Sequence, residues 1–140
     1  GPQDVISIMT YESKTRVLVS RLKLADKERM VSEVRRVTAS GGTNISKALQ
    51  KASEFLRGSR QTLRAEMTDI RDGGGVSAET NLARMQQRIF LYTDGQPMEG
   101  ETRSEQLSNA CRNIFDEDNI ATSTFGIGTD VDGPLLESMA

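Results

Sequence analysis

The sequence has no histidine and a single cysteine, Cys111, in 140 residues. Without histidine the chain lacks the commonest general base and the usual zinc ligand. Serine–histidine–aspartate and cysteine–histidine catalysis are therefore excluded within it, and nothing points to a carboxylate or lysine mechanism instead. One cysteine admits no internal disulfide, which fits a reducing compartment. No apolar run approaches the roughly 20 residues that span a bilayer, and no secretory leader is visible. The expectation leans to a cytoplasmic setting, with the compartment left open. There is also no excess of positive charge. Eighteen Lys and Arg against twenty Asp and Glu give a net charge of −2 and a pI near 5.3, whereas a phosphate-binding surface needs clustered cations.

What is present is a polar mix, 36% hydrophobic and 27% charged, of a length that makes one domain. Gly1-Pro2 reads as a remnant of tag removal and stands outside the fold. The most informative stretch is residues 88–95, RIFLYTDG. Ile89, Phe90, Leu91 and Tyr92 form a short run of β-branched, aliphatic and aromatic residues, which predicts a strand buried on both faces of a parallel sheet. Thr93 and Asp94 then fall at its carboxyl end, the edge where open α/β sheets bind ligands. A hydroxyl and a carboxylate there are donors suited to a hard cation; Asp94-Gly95 also serves simply as a turn.

Along the chain, residues 4–10 predict a strand. Residues 11–14 read as a polar turn, and residues 16–24 as a second strand, antiparallel to the first. Leu18, Leu22 and Leu24 share one parity of that strand and Arg21 and Lys23 the other, as on an edge strand with one wet face. Asp26 is placed to cap a helix whose apolar side is Met30, Val31, Val34 and Val37. Gly41-Gly42 ends the connection, and Thr43-Asn44 opens a helix with Ile45, Ala48, Leu49, Ala52, Phe55 and Leu56 on one side. Thr43 is then either the N-cap or a ligand donor. Residues 57–87 read as a surface insertion, partly mobile around the three glycines at 73–75; Leu63, Met67 and Ile70 could instead continue the helix, and a further helix could begin at Ser77. Residues 104–115 predict a helix with Leu107, Ala110, Cys111, Ile114 and Phe115 inward, which makes Cys111 a core residue. Residues 120–127 predict a strand and residues 134–139 a last helix. Strands alternating with helices predict an α/β fold: a Rossmann-like three-layer sandwich with a mostly parallel sheet and one antiparallel edge strand.

The ordered set DVISIMTY, RVLVSRLKL, SGGTNI, IFLYTDG and FGIGTDVD resembles a von Willebrand factor A domain over nearly the whole chain except residues 57–87. The resemblance implies a metal-ion-dependent adhesion site at the carboxyl edge, with Thr43 and Asp94 as ion ligands and Gly42, Asn44, Gly95 and Gln96 beside them facing a protein ligand. The family's Asp-x-Ser-x-Ser motif occurs nowhere in this sequence, and the chain starts in register with the family's second strand. The family's last strand is also missing from the pattern. The first strand sits centrally in the family, between the partners of DVISIMTY and IFLYTDG. Its loss leaves two edges that either pair with each other, accept a strand from a partner or a second copy, or await a piece of chain found elsewhere. With only two donors left, magnesium or manganese is expected to bind weakly or not at all.

The expected role is a non-catalytic protein-interaction module. The alternative is an accessory domain of an AAA+ ATPase, chelatase or co-chaperone assembly. A nucleotide-binding enzyme is a third class, resting on Gly126-Ile127-Gly128 after a strand. There Val131 replaces the third fingerprint glycine, and the acidic residue that should come after it is lacking.

Overall fold

The computed structural model describes residues 4–38, 41–69 and 85–140, with the backbone alone for residues 66–69. The elements run β1 (Val5–Tyr11), β2 (Thr15–Lys23), a 3-10 turn (Leu24–Asp26), α1 (Lys27–Arg35), α2 (Ile45–Asp69), β3 (Gln87–Thr93), α3 (Ser104–Asp118), β4 (Ile120–Gly126) and α4 (Gly133–Met139). This is the expected α/β order.

The core forms where the cleanest periodicities meet. Ile45 and Leu49 of α2, Leu107, Cys111 and Ile114 of α3, Ile89 and Leu91 of β3, Ile120 of β4, and Leu135 and Met139 of α4 form one buried cluster. Burying a side chain of this size contributes about 1.5–3 kcal/mol, so this cluster is the main source of stability. The helix ends are fixed by their own residues. Asn44, not Thr43, caps α2: its Oδ1 accepts from the Lys47 N–H and the Ser46 hydroxyl, both at 3.0 Å. Asp132 Oδ1 accepts from the Leu135 N–H at 3.0 Å, with Pro134 in the first turn of α4. Asn119 closes α3 in a left-handed conformation, φ 56°, which asparagine tolerates better than most residues. Asp26 stands at the N-cap position of α1 but makes no capping bond.

The sheet departs from expectation. Among the described residues, instead of one mostly parallel sheet there are two two-stranded ones: β1–β2 antiparallel, and β3–β4 parallel in unbroken register from Gln87↔Ile120 to Thr93↔Gly126. No ladder joins β1 to β3. In β2 the parity reading fails as well. The register slips twice, between Ile6 and Ile8 and between Ile8 and Met9. Arg21 takes φ 50° and donates its N–H to the Ser7 hydroxyl at 2.9 Å. Each extra residue on the bulged strand reverses the facing of the residues after it, so the buried residue is Val19, off the leucine parity.

The two-faced burial expected for β3 also fails. Ile89, Leu91 and Thr93 are buried, but Phe90 and Tyr92 are 56% and 55% exposed. Among the described residues, helices pack on one side of this sheet. On the bare side Tyr92 stacks on Phe125 at 4.6 Å between ring centroids, and Phe90 meets the same ring at 6.0 Å. Two helices repeat the pattern. Met30 is the buried residue of α1, while Val31, Val34 and Val37 just beyond it are exposed; Phe115, expected inward on α3, is half exposed. Of the anticipated insertion at 57–87, residues 57–69 are the continuation of α2 and Gln87 begins β3. The glycines at 73–75 and the helix expected from Ser77 lie outside the described residues.

This one-sided packing predicts unequal costs for neighbouring truncations. Leu49→Ala removes a side chain 1% exposed and should cost about 2–5 kcal/mol in urea unfolding. Phe90→Ala, on the bare face, should cost less than about 1 kcal/mol. Equal losses would mean that the face is covered. Asn44→Ala removes the cap of α2 and should cost about 0.5–2 kcal/mol, against a negligible change for Thr43→Ala.

Candidate functional site

At the carboxyl ends of β1 and β3 lies a cleft of about 670 Å3. Its wall includes Tyr11 and Glu12 from the end of β1, Gly41, Gly42 and Thr43 before α2, and Tyr92, Thr93 and Asp94 from the end of β3. Gly42, Thr43 and Asp94 thus line one cavity. Asn44, Gly95 and Gln96 do not line it. Asn44 is turned into the α2 cap, and Gly95 is held in a turn in which its carbonyl accepts from the Thr93 hydroxyl at 3.0 Å.

The loops around the cleft are tied together by backbone. The N–H groups of Met98 and Glu99 both donate to the Thr43 carbonyl, at 2.8 and 3.1 Å. The Glu99 carboxylate accepts from the Ser13 hydroxyl at 2.6 Å, joining the β3–α3 loop to the β1–β2 turn. This path runs past Gly42, where a side chain would overlap Glu99. A Cβ on Gly41, which has φ +79°, would meet the Glu12 carboxylate at 2.6 Å. At both positions the neighbour is a flexible glutamate side chain, and only Gly41 also holds a backbone conformation that favours glycine. Farther along, the Glu101 N–H donates to the Ser46 hydroxyl at 3.1 Å, and Glu101 pairs with Arg103, which holds its carboxyl down at about 2.

Tyr11 is the central side chain of the cleft. Its hydroxyl donates to the Tyr92 carbonyl at 2.9 Å, crossing from one sheet to the other. Burial raises its pKa above the ordinary value; the neighbouring Thr93 hydroxyl works against that rise, and the negative charge of Asp94 adds to it. The sequence pattern places Tyr11 in a polar turn. The available signal was an aromatic residue directly ending an apolar run. Ser13 and Glu99 were not anticipated either, because a link between residues 86 apart leaves no local trace.

The Thr43 hydroxyl takes no part in the α2 cap, and it makes no hydrogen bond among the described residues. The Asp94 carboxylate is exposed. Magnesium needs a near-octahedral oxygen shell and retains much of its water. Among the described residues no group of three or more His, Cys, Asp or Glu side chains is arranged to hold an ion. Of the expected ligands, the cleft brings together one hydroxyl, on Thr43, and one carboxylate, on Asp94. The Cys111 thiol is buried, its pKa raised by that burial, beside the enclosed Thr122 hydroxyl.

With the geometry in place, comparison with known proteins gives a consistent result. The family model for the von Willebrand factor type A domain matches residues 1–140. The chain is 31% identical over 145 residues to the mouse protein "Inter alpha-trypsin inhibitor, heavy chain 4", across 100% of this chain and 13% of that protein. It is 27% identical over 145 residues to the human "Inter-alpha-trypsin inhibitor heavy chain H2" and 28% over 142 residues to the pig protein of the same name, each across 99% of this chain and 13% of the relative. The chain therefore spans about one-eighth of the length of these relatives. By the match over its whole length, the chain belongs to the von Willebrand factor type A domain family.

Proposed function

We propose that this domain is a non-catalytic module that binds a protein partner at its carboxyl-edge cleft. Thr43 and Asp94 supply the polar contacts, and the backbone at Gly42, Asn44, Gly95 and Gln96 forms the rim. The observation that carries this reading is the Thr43 hydroxyl: it lines the cleft, leaves the helix cap to Asn44, and has no hydrogen-bond partner among the described residues. Polar groups on rigid element ends, surrounded by tied loops, are the usual makings of a recognition surface. In this reading magnesium or manganese contributes weakly or not at all, because the cleft offers too few ligands to displace the ion's water. The inhibitor role named for the relatives belongs to proteins of which this domain corresponds to 13%, and a share in such an assembly is part of the proposal.

Capture with the immobilised domain tests the reading. Wild type should retain a specific protein partner, and the double variant Thr43→Ala/Asp94→Ala should lose most of it. Equal recovery by both would move the interface away from the cleft, and recovery of an ATPase would favour the accessory-domain role. In titration calorimetry, magnesium or manganese should give no saturable heat up to about 1 mM, a scale typical of weak ion sites. A saturable site that disappears in Asp94→Ala would overturn the metal reading. If Cys111 is only a core residue, its modification by a thiol reagent at pH 8 should proceed at the rate of global unfolding. A fast reaction with the folded domain would reopen an enzymatic role.

A further inference from the structure

We propose that the domain associates head to tail with further copies of itself, the basic flank formed by β2 and α1 of one copy meeting the acidic end of α3 in the next. This goes beyond the interaction-module reading, because it uses neither the cleft nor Thr43 and Asp94.

The charges of the chain are sorted. Residues 14–36 hold eight Lys and Arg against three Asp and Glu, a net +5. Residues 104–140 hold one Arg against seven Asp and Glu, a net −6. The fold keeps the two groups apart. The Tyr92 carbonyl accepts from Tyr11 of β1, while the next carbonyl, of Thr93, accepts from the Ile127 N–H just past β4. Successive carbonyls of a strand point to opposite edges, so β3 lies between β1 and β4. On one side β2 is then the outer strand, with α1 packed on it; on the other it is β4, with α3 and α4 packed on it. The two flanks cannot neutralise each other within one molecule. Little of their charge is spent internally. Glu33 takes Arg36 at 3.1 Å, and Arg57 takes Asp118 at 2.6 Å. On the basic flank Arg16, Lys23, Lys27, Arg29 and Arg35 are exposed, and on the acidic flank Glu105, Asp116, Glu117, Asp130 and Glu137. None of these ten forms an ion pair among the described residues.

Apolar side chains mark the contact within each flank. On α1, Lys27, Val31 and Arg35 follow one another at intervals of four and line one groove with Glu28 and Arg36. Val31 and Val34 are 47% and 46% exposed there. On α3, Phe115 is 50% exposed, immediately before Asp116 and Glu117, with Arg112 one turn back. An apolar centre inside a polar rim is the anatomy of an interface, and the two rims here are opposite in sign. The carboxyl end of α3 adds the negative pole of its helix dipole to the acidic rim. One chain thus supplies both sides of the match, which commits the partner to a second copy. The two surfaces are different patches on opposite flanks, so the contact is heterologous. It leaves one basic and one acidic flank unused and continues into an open row instead of closing as a dimer. Exposed ion pairs are individually weak and screened by salt, so the association is weak and salt-sensitive.

Sedimentation equilibrium on the whole chain tests this. At an ionic strength of about 0.01 M, where the screening length is roughly 30 Å, the average mass should climb above the 15.4 kDa monomer as protein is added. It should pass two copies at roughly millimolar protein, the range of weak contacts. At about 1 M salt, where the screening length is roughly 3 Å, it should fall back to the monomer. Two charge-reversed variants, Lys27→Glu/Arg35→Glu and Asp116→Lys/Glu117→Lys, should each stay monomeric at low salt, because like charges then face each other. Their equimolar mixture should associate as the wild type does, since opposite signs return at every contact. Asp94→Ala should also associate as the wild type does, so failure of the cleft reading and failure of this contact are distinguishable. All four reversed residues are exposed; where circular dichroism shows a variant unfolded, the wild-type salt series decides alone. Five results would overturn the contact: a wild type that stays monomeric at low salt, association indifferent to salt, association retained by both folded variants, growth that stops at a dimer, or a mixture of folded variants that stays monomeric.

Discussion

Helix α2 packs on both halves of this molecule. The two sheets share no backbone ladder, yet α2 packs against β1, β2 and β3 and against α3. Its first turns carry Ile45 and Leu49, essentially without exposure, and Tyr11, Ala52 and Leu56 pack around the same cluster. Because α2 begins at the cleft, its anchoring also sets the site. The Asn44 cap and the two N–H donors on the Thr43 carbonyl fix the loop that brings Thr43 to the cavity. Core packing and site geometry are consequences of the same helix position.

The asymmetry of β3 arises from that arrangement. Its odd residues meet helices and its even residues meet solvent, softened only by rings that cover one another. This apolar, aromatic face is continued by Ile127 beyond β4. The cleft and the bare face meet at Tyr92, whose carbonyl is held from β1 while its ring stacks on β4.

Much of this was legible in the sequence because it is local. The α2 pattern from Ile45 through Leu56, the Leu107–Cys111–Ile114 stripe of α3 and the strand at Ile120 each encode their burial in spacing. The loops carrying Thr43 and Asp94 were legible as strand and helix ends. The features that were not legible depended on residues far apart. A continuous apolar run cannot reveal whether one or both of its faces will be covered, and so Phe90 and Tyr92 were placed inside. The bulges of β2 reversed a clear alternation by inserting single residues, with Arg21 at φ 50°. The choice between Thr43 and Asn44 as cap turned on one residue of register, within the ordinary uncertainty of a helix boundary. Tyr11, the link between the sheets, looked like the start of a turn.

Magnitudes explain why β1 and β3 stay apart. Closing the gap would form a few backbone hydrogen bonds, each with a net contribution of about 0.5–1.5 kcal/mol because water already satisfies the open groups. It would also drive the two sheets together beneath α2, which packs on both. Ile45 or Leu49 would then lose well-fitted contacts, at about 2–5 kcal/mol for each large residue displaced. Loss of packing at two positions already equals or exceeds the gain from a short ladder.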